Sequence, residues 1–374
     1  MKNIFAYCRG PWVHTPDAIV AKHVLEKIAE NHRVFVLAKD LKAGSFELKR
    51  NLFCLPASDD NVKFRLQVYT YKTYVWIHHM IVFPSPRTLA EDVFKISSLM
   101  PRSIFFFPLD ATSARLSVLQ PPLESAYAVV TTSKSVKEHL SKFLGNVVYA
   151  PCGAPRIPLP KAQRTEKNGF SVLVMDTIDK TSQIFNILKG VRMFIDNIEE
   201  SEKKRIKVIF FTPFGGMLNE GSYDPTAITE HLGMREHAHI VVSDPEVMPY
   251  VISDVAALVD ISDVVIIGRS SGYGILPLIV MTRGKPVVAP EDHIFKEYVG
   301  ERGYLIKADE FSIYPGDVLL REYPVIDPEK VCDILHKVFS HPEELKRKSE
   351  ESMRYAESMT WDSLVHKLEK LLEM

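Results

Sequence analysis

Residues Gly268–Pro290 read GRSSGYGILPLIVMTRGKPVVAP and follow directly on the apolar run Val264–Ile267. A near-continuous β-branched run of that kind is the mark of a strand buried on both faces of a parallel sheet. It feeds a loop containing Gly272 and Gly274, then the apolar segment ILPLIVM, then a second strand-like run, VVAP. Strand, glycine loop, helix and strand in succession make a βαβ unit, which predicts an open α/β sheet. Glycines let a backbone approach its neighbour closely, and a loop opening a helix offers N–H groups to an anion. No acidic side chain occurs from Ser270 to Thr282, so nothing there repels a negative charge.

The same alternation extends towards both ends. NIFAYC reads as a first strand, and AIVAKHVLEKIAEN places Ile19, Val20, Val24, Leu25 and Ile28 on one helical face, with Pro16 and Asp17 as start signals. RVFVLA, YVWIHHMIVF, SIFFFPL, AYAVVTTS and NVVYAP follow as further strands. The paired aromatics of YTYKTYVWIHH read as the core packing of a strand in preference to a membrane-facing belt. The Pro-rich, charged segment Cys152–Gly169 lacks periodicity and reads as a linker. A second series follows: FSVLVMD, a helix around KGVRMFIDNIEE, KVIFFTPFGG, PTAITEHLG and HIVVSD. Neither candidate first βα turn contains GxGxxG, which disfavours a dinucleotide-dependent dehydrogenase.

At 374 residues, two domains are expected. The net charge of -1 offers no broad nucleic-acid footprint. Cys8, Cys54, Cys152 and Cys332 are scattered, with no CxxC pair, which suggests reduced thiols in a cytoplasmic protein. No stretch reaches the length of a membrane span. The chain has only four glutamines beside abundant Lys and Glu, a composition leaning towards a thermophile.

From Val147 onward the ordered series resembles the C-terminal domain of GT-B glycosyltransferases of the GT4 (glycogen-synthase-like, group 1) family. Arg269, Gly272, Tyr273, Gly274, Gly284, Lys285, Pro286, Val287, Val288 and Glu297 fall where that family has equivalents. Lys189-Gly190 resemble the KG opening its first C-domain helix, and MTWDSLVHKLEKLL resembles its closing helix. The resemblance implies two Rossmann-like, doubly wound α/β domains facing a central cleft: residues 1–160 on the acceptor side, 161–355 on the donor side, and 356–374 packing back on the first domain. It implies transfer of a sugar from a nucleotide diphosphate sugar to an acceptor hydroxyl, with retention of configuration and no obligatory metal or other cofactor. No DxD-type triplet stands at a strand end, in keeping with that. The family's two glutamates are replaced, by Ser271 and Ile279, which leaves open a non-catalytic nucleotide- or glycan-binding protein, or another GT-B activity such as a nucleotide-sugar epimerase.

The resemblance also nominates site residues. Arg269 and Lys189 would neutralise the diphosphate, with the backbone of Ser271, Gly272, Tyr273 and Gly274 as its cradle and Gly215 and Gly216 in a second loop beside the nucleotide. Gly10, Trp12 and His14 would lie on the acceptor side. His78, His79 and Asp110 are the catalytic candidates, and alternation along a strand points the two histidines to opposite faces. The expected partners are the nucleotide-sugar donor and a glycan or lipid-linked acceptor. Peripheral contact with the inner membrane surface is a further expectation.

Overall fold

Helix starts are set by short polar caps: Asp60, Asp224, Asp292 and Asp327 each accept a hydrogen bond from a backbone N–H of the first turn they precede. The computed structural model describes residues 1–100, 102–155, 157, 169–176, 181–212, 224–242, 252–314 and 316–374. The first domain runs β1 (Asn3–Cys8), α1 (Pro16–Ile28), β2 (Arg33–Ala38), β3 (Phe46–Lys49), β4 (Leu52–Pro56), α2 (Asn61–Val75), β5 (Ile77–Val82), α3 (Leu89–Ser97), β6 (Ser103–Phe106), α4 (Gln120–Glu124), β7 (Ala128–Thr131), α5 (Lys134–Leu140) and β8 (Val147–Tyr149). Its eight strands lie in the order β3-β4-β2-β1-β5-β6-β7-β8, and only β3 pairs antiparallel.

The second domain runs β9 (Phe170–Met175), α6 (Ile184–Asn197), α7 (Glu200–Lys203), β10 (Ile206–Thr212), α8 (Pro225–His231), β11 (Ala238–Val242), α9 (Ile252–Ile261), β12 (Val264–Ile267), α10 (Ile275–Thr282), β13 (Val287–Pro290), α11 (His293–Tyr298) and β14 (Tyr304–Ile306). Its six strands are ordered β11-β10-β9-β12-β13-β14. With the β3 edge set aside, both sheets have Rossmann order, and each reverses direction beside its first strand. The chain then forms a hairpin, β15 (Phe311–Ile313) and β16 (Glu322–Pro324), and ends in α12 (Pro328–Ser340), α13 (Pro342–Ser358) and α14 (Trp361–Glu373).

The closing helix starts at Trp361, after a break at Met359–Thr360, rather than at 356. Leu364, Leu368 and Leu372 of α14 join Val20 and Val24 of α1 and Ile275 and Ile279 of α10 in one apolar cluster. Trp361 stacks on His23, 4.5 Å between centroids. The core is therefore continuous across the two domains. The four cysteines are buried and unpaired, and among the described residues no helix is long and apolar enough to cross a membrane.

One segment departs from the sequence reading. YTYKTYV forms the end of α2, and β5 begins only at Ile77. Aromatic residues favour strands, but the helix cap at Asp60 and the i to i+4 spacing of Phe64 and Val68 against the core override that preference.

Candidate active site between the domains

The carboxyl ends of the two sheets face one another, and at their meeting point Asp110 follows β6 with its side chain 2% exposed. Its Oδ2 accepts from Arg269 Nε at 3.0 Å and from Nη2, and its Oδ1 accepts from Arg321 Nη1 at 2.9 Å. Arg269 stands at the end of β12, beside β9, where the second sheet reverses. It also donates to Thr181 Oγ1 and lies over the Tyr323 ring, 4.9 Å from its centroid. Arg321 is held in turn by Asp317 at 2.8 Å and by the Pro86 carbonyl at 2.9 Å. Among the described residues two guanidiniums thus meet two carboxylates in a half-dry interface, where each is worth more than on the surface.

A third carboxyl, Asp292, is buried at the start of α11, with the Ser270 hydroxyl and the charge of Asp110 among the groups acting on it. Burial, helped by Asp110, pushes it up to about 7 against the backbone N–H of Phe295. Asp176, at the end of β9, accepts from Ser182 Oγ (3.0 Å) and Gln183 N–H (2.8 Å) and so fixes the start of α6 beside Arg269 and Thr181. The buried hydroxyls of Thr112, Thr212 and Ser271 have no hydrogen-bond partner among the described residues. Buried hydroxyls of that kind are receptive to polar ligands.

The glycine loop is not an open cradle. At Gly272 (φ 71) a Cβ would stand 2.8 Å from Pro108 and 3.0 Å from the Leu109 nitrogen; at Gly274 (φ 81) it would meet Tyr298 at 2.8 Å. What approaches this backbone so closely is the other domain and a tyrosine ring, and Thr132 Oγ1 donates to the Gly272 carbonyl at 3.2 Å. Tyr273 is buried and donates to the Pro84 carbonyl at 2.7 Å, anchoring one domain to the other. Glu297 accepts from the Lys134 N–H (2.7 Å) and from the Tyr149 hydroxyl (2.5 Å), a second interdomain tie.

Other nominated residues fall elsewhere. Lys189 is exposed on the second turn of α6, because that helix starts at Ile184 and not at the KG pair; Gly190 packs against Pro328 and Val331 of α12. His78 and His79 stand at the start of β5, which places them at the end of the sheet remote from the cleft. His78 accepts from the Asn3 N–H, and His79 is fully buried beside Tyr127 and the Leu372 backbone. Gly10 donates its N–H to Asp40 at 3.2 Å, and Trp12 folds over Gly10 and against Phe46, 5.2 Å between centroids. His14 is half-buried within reach of the charge of Asp254 on α9, across the domain boundary; burial, and then Lys22, lower its pKa. Gly215 and Gly216 lie outside the described residues.

Burial holds His79 down at about 4. A histidine depressed in the folded state gives stability that is present above about 6.5 and lost as pH falls towards about 4, by up to about 3 kcal/mol. His79→Leu should therefore flatten the acid side of the stability profile, as read by urea unfolding at a series of pH values. An unchanged profile would show that His79 does not remain neutral there.

Sequence reasoning missed Arg321, Asp317 and Tyr323, which the β15–β16 hairpin carries over to Asp110. The hairpin was legible in part: the turn residues Pro315-Gly316-Asp317 separate two strand-forming runs. Its destination was not. The hairpin also pairs with the first domain, since Thr112 donates to the Glu322 carbonyl at 2.9 Å and Glu322 donates back to that of Ser113 at 2.9 Å.

No family model and no curated protein matches the sequence. In three dimensions the chain aligns over its full length with the sucrose-phosphate synthase of Thermosynechococcus elongatus, with a TM-score of 0.76 at 12% identity and 98% of that chain covered. The fold is GT-B. An Anabaena HepE structure in complex with UDP-glucose aligns with a TM-score of 0.69 at 11% identity, covering 100% of both chains. The trehalose 6-phosphate synthase of Burkholderia multivorans gives 0.69 at 10% identity, covering 100% of this chain and 96% of that one. Identities this low establish shared GT-B architecture, while activity has to be argued from the site.

Proposed function

We propose that this GT-B protein is a nucleotide-sugar-dependent glycosyltransferase that moves a hexose to an acceptor hydroxyl in the interdomain cleft. The observation that carries the reading is Arg269, a guanidinium at the switch point of the second sheet, turned towards the first domain and held on Asp110. A guanidinium binds carboxylate and phosphate with the same forked geometry, so a donor diphosphate replaces Asp110 with its hydrogen bonds preserved. Breaking the glycosidic bond builds negative charge on the departing diphosphate, and a fixed cation beside it lowers the barrier. Arg269 does this without a divalent ion. His14, half-buried at the domain boundary within reach of Asp254, is the first-domain imidazole placed to meet the acceptor. Retention of configuration and the GT4 assignment follow from the resemblance of the second domain. HepE, solved with UDP and with UDP-glucose, makes a uridine donor the first to test.

Thermal-shift screening against nucleoside diphosphates and their sugars, followed by assay of the released diphosphate, tests the proposal. Arg269→Ala should abolish the shift, whereas Lys189→Ala, on an exposed turn of α6, should leave it intact. Equal losses in both would return Lys189 to the site, and absence of any nucleotide response would remove the enzyme reading. A second reading, a GT-B scaffold that binds nucleotide or glycan without catalysis, is favoured by Ser271 and Ile279, which offer no carboxylate to the donor. Binding without release of diphosphate would select it.

A further inference from the structure

Helix α2 exposes apolar surface on the side turned away from its own domain. Phe64 and Val68 are fully buried, and Tyr71 and Val75 pack partly against the same core. On the opposite face, Val62, Leu66, Tyr69 and Thr73 recur at spacings of four, three and four, which is one continuous stripe of a helix. Val62 is 76% exposed, Leu66 66% and Tyr69 49%; Tyr74 and Trp76, at the carboxyl end, are 82% and 78% exposed. Trp76 caps the helix at φ 54, a conformation unusual for a bulky residue, and so holds its indole out from the domain. Lys63 and Arg65 border the stripe on either side and Lys72 continues one border. No Asp or Glu occurs from Asn61 to Val75, in a chain of net charge -1. The nearest carboxylates in sequence, Asp59 and Asp60, precede the helix, and Asp60 is spent on its cap.

We propose that α2 is a monotopic anchor that docks this protein on an anionic lipid surface. An apolar stripe with basic borders and Tyr and Trp at one end suits a helix lying in the headgroup layer. A second copy of the chain is a poor occupant, because a two-fold contact would set the basic borders of one copy, Lys63, Arg65 and Lys72, beside those of the other with no carboxylate on the helix to offset them. The helix starts at the carboxyl end of β4, the cleft side of the sheet, and runs to the amino end of β5. Lying on a membrane, it brings one rim of the cleft to the lipid. The inference rests on this surface alone and stands whether or not the cleft transfers sugar.

Sedimentation with vesicles tests it directly. The whole protein should pellet with phosphatidylcholine vesicles containing about one third phosphatidylglycerol and not with phosphatidylcholine alone, with three basic residues contributing on the order of a hundredfold in affinity. Raising the salt from about 0.1 M to about 1 M should release it. Trp76 fluorescence should shift to the blue on anionic vesicles. The combined variant Lys63→Gln, Arg65→Gln and Lys72→Gln should lose the lipid selectivity. Val62→Gln, Leu66→Gln and Tyr69→Gln together should lose the pelleting, with thermal unfolding of both variants little changed because all of these side chains except the half-buried Lys72 are exposed. No pelleting with anionic vesicles, or pelleting unaffected by either variant, overturns the proposal. So does a dimer in light scattering that the stripe variant abolishes in a protein indifferent to vesicles, which would assign the face to a second copy.

Discussion

Asp110→Ala should lower the free energy of unfolding by about 3–5 kcal/mol, the cost of removing the carboxylate that two buried guanidiniums share. Arg321 keeps Asp317 and the Pro86 carbonyl, and Arg269 keeps Thr181 Oγ1 and the face of Tyr323. Both arginine side chains are 11% exposed, so water screens them poorly. Asp110→Asn should cost less, since an amide still accepts one hydrogen bond although it carries no charge. Urea unfolding measures both. Inorganic pyrophosphate separates a structural ion pair from a phosphate site: it should restore part of the lost stability in the alanine variant, and raise the Tm of that variant more than that of the parent. A loss under about 1 kcal/mol would show that the pair is solvated and of surface type. A full loss without pyrophosphate rescue would confine Arg269 to a structural role. Hydrogen exchange should rise in β15 and β16 as well, because Arg321 and the pairing of Glu322 with Ser113 fasten the hairpin there.

The doubly wound architecture was legible because parallel strands buried on both faces leave continuous apolar runs, and Val172–Met175, Val264–Ile267 and Val287–Pro290 are such runs. The start of α1 was legible for a local reason, Pro16 in the first turn. The site was legible only where the determinant was local. Arg269 was named by the resemblance at a strand end, but Arg321, which shares its carboxylate, reaches Asp110 across 211 positions of sequence, which no spacing rule encodes. Lys189 was placed by a two-residue resemblance, whereas the start of α6 follows Asp176 and its hydrogen bonds to Ser182 and Gln183. Gly272 and Gly274 were understood as close-approach positions, and they are, but the approaching groups are Pro108 and Tyr298. A glycine shows that something comes near the backbone without naming what. The strand reading of YTYKTYVW failed because aromatic residues favour strands locally, while the stripe that would have revealed a helix lies on its outer face.

Ile279→Glu is expected to destabilise the fold by about 4 kcal/mol or more, as an unpaired carboxyl placed in an apolar core does. Every residue of α10 from Ile275 to Met281 is buried, and Ile279 is 1% exposed in the cluster shared with α1 and α14. A helix apolar on all sides has no face to turn towards a ribose. The resemblance, however, puts the second of the family's glutamates at this position, so the substitution distinguishes two accounts of the donor site. If the core account holds, the new carboxyl stays protonated with a raised pKa. The variant then loses stability further as pH rises from about 4 towards 8, since a raised acid gives up stability on passing upward through its folded pKa. Unfolding in urea at the two ends of that range reads the slope. If instead the loss is small, independent of pH and accompanied by tighter nucleotide binding, the side chain reaches the cleft. Position 279 then belongs to a ribose pocket whose polar group this chain has given up. In the first outcome, the sugar recognition we propose falls to groups such as the buried hydroxyls of Thr112, Thr212 and Ser271, and α10 serves to join the two domains through one core.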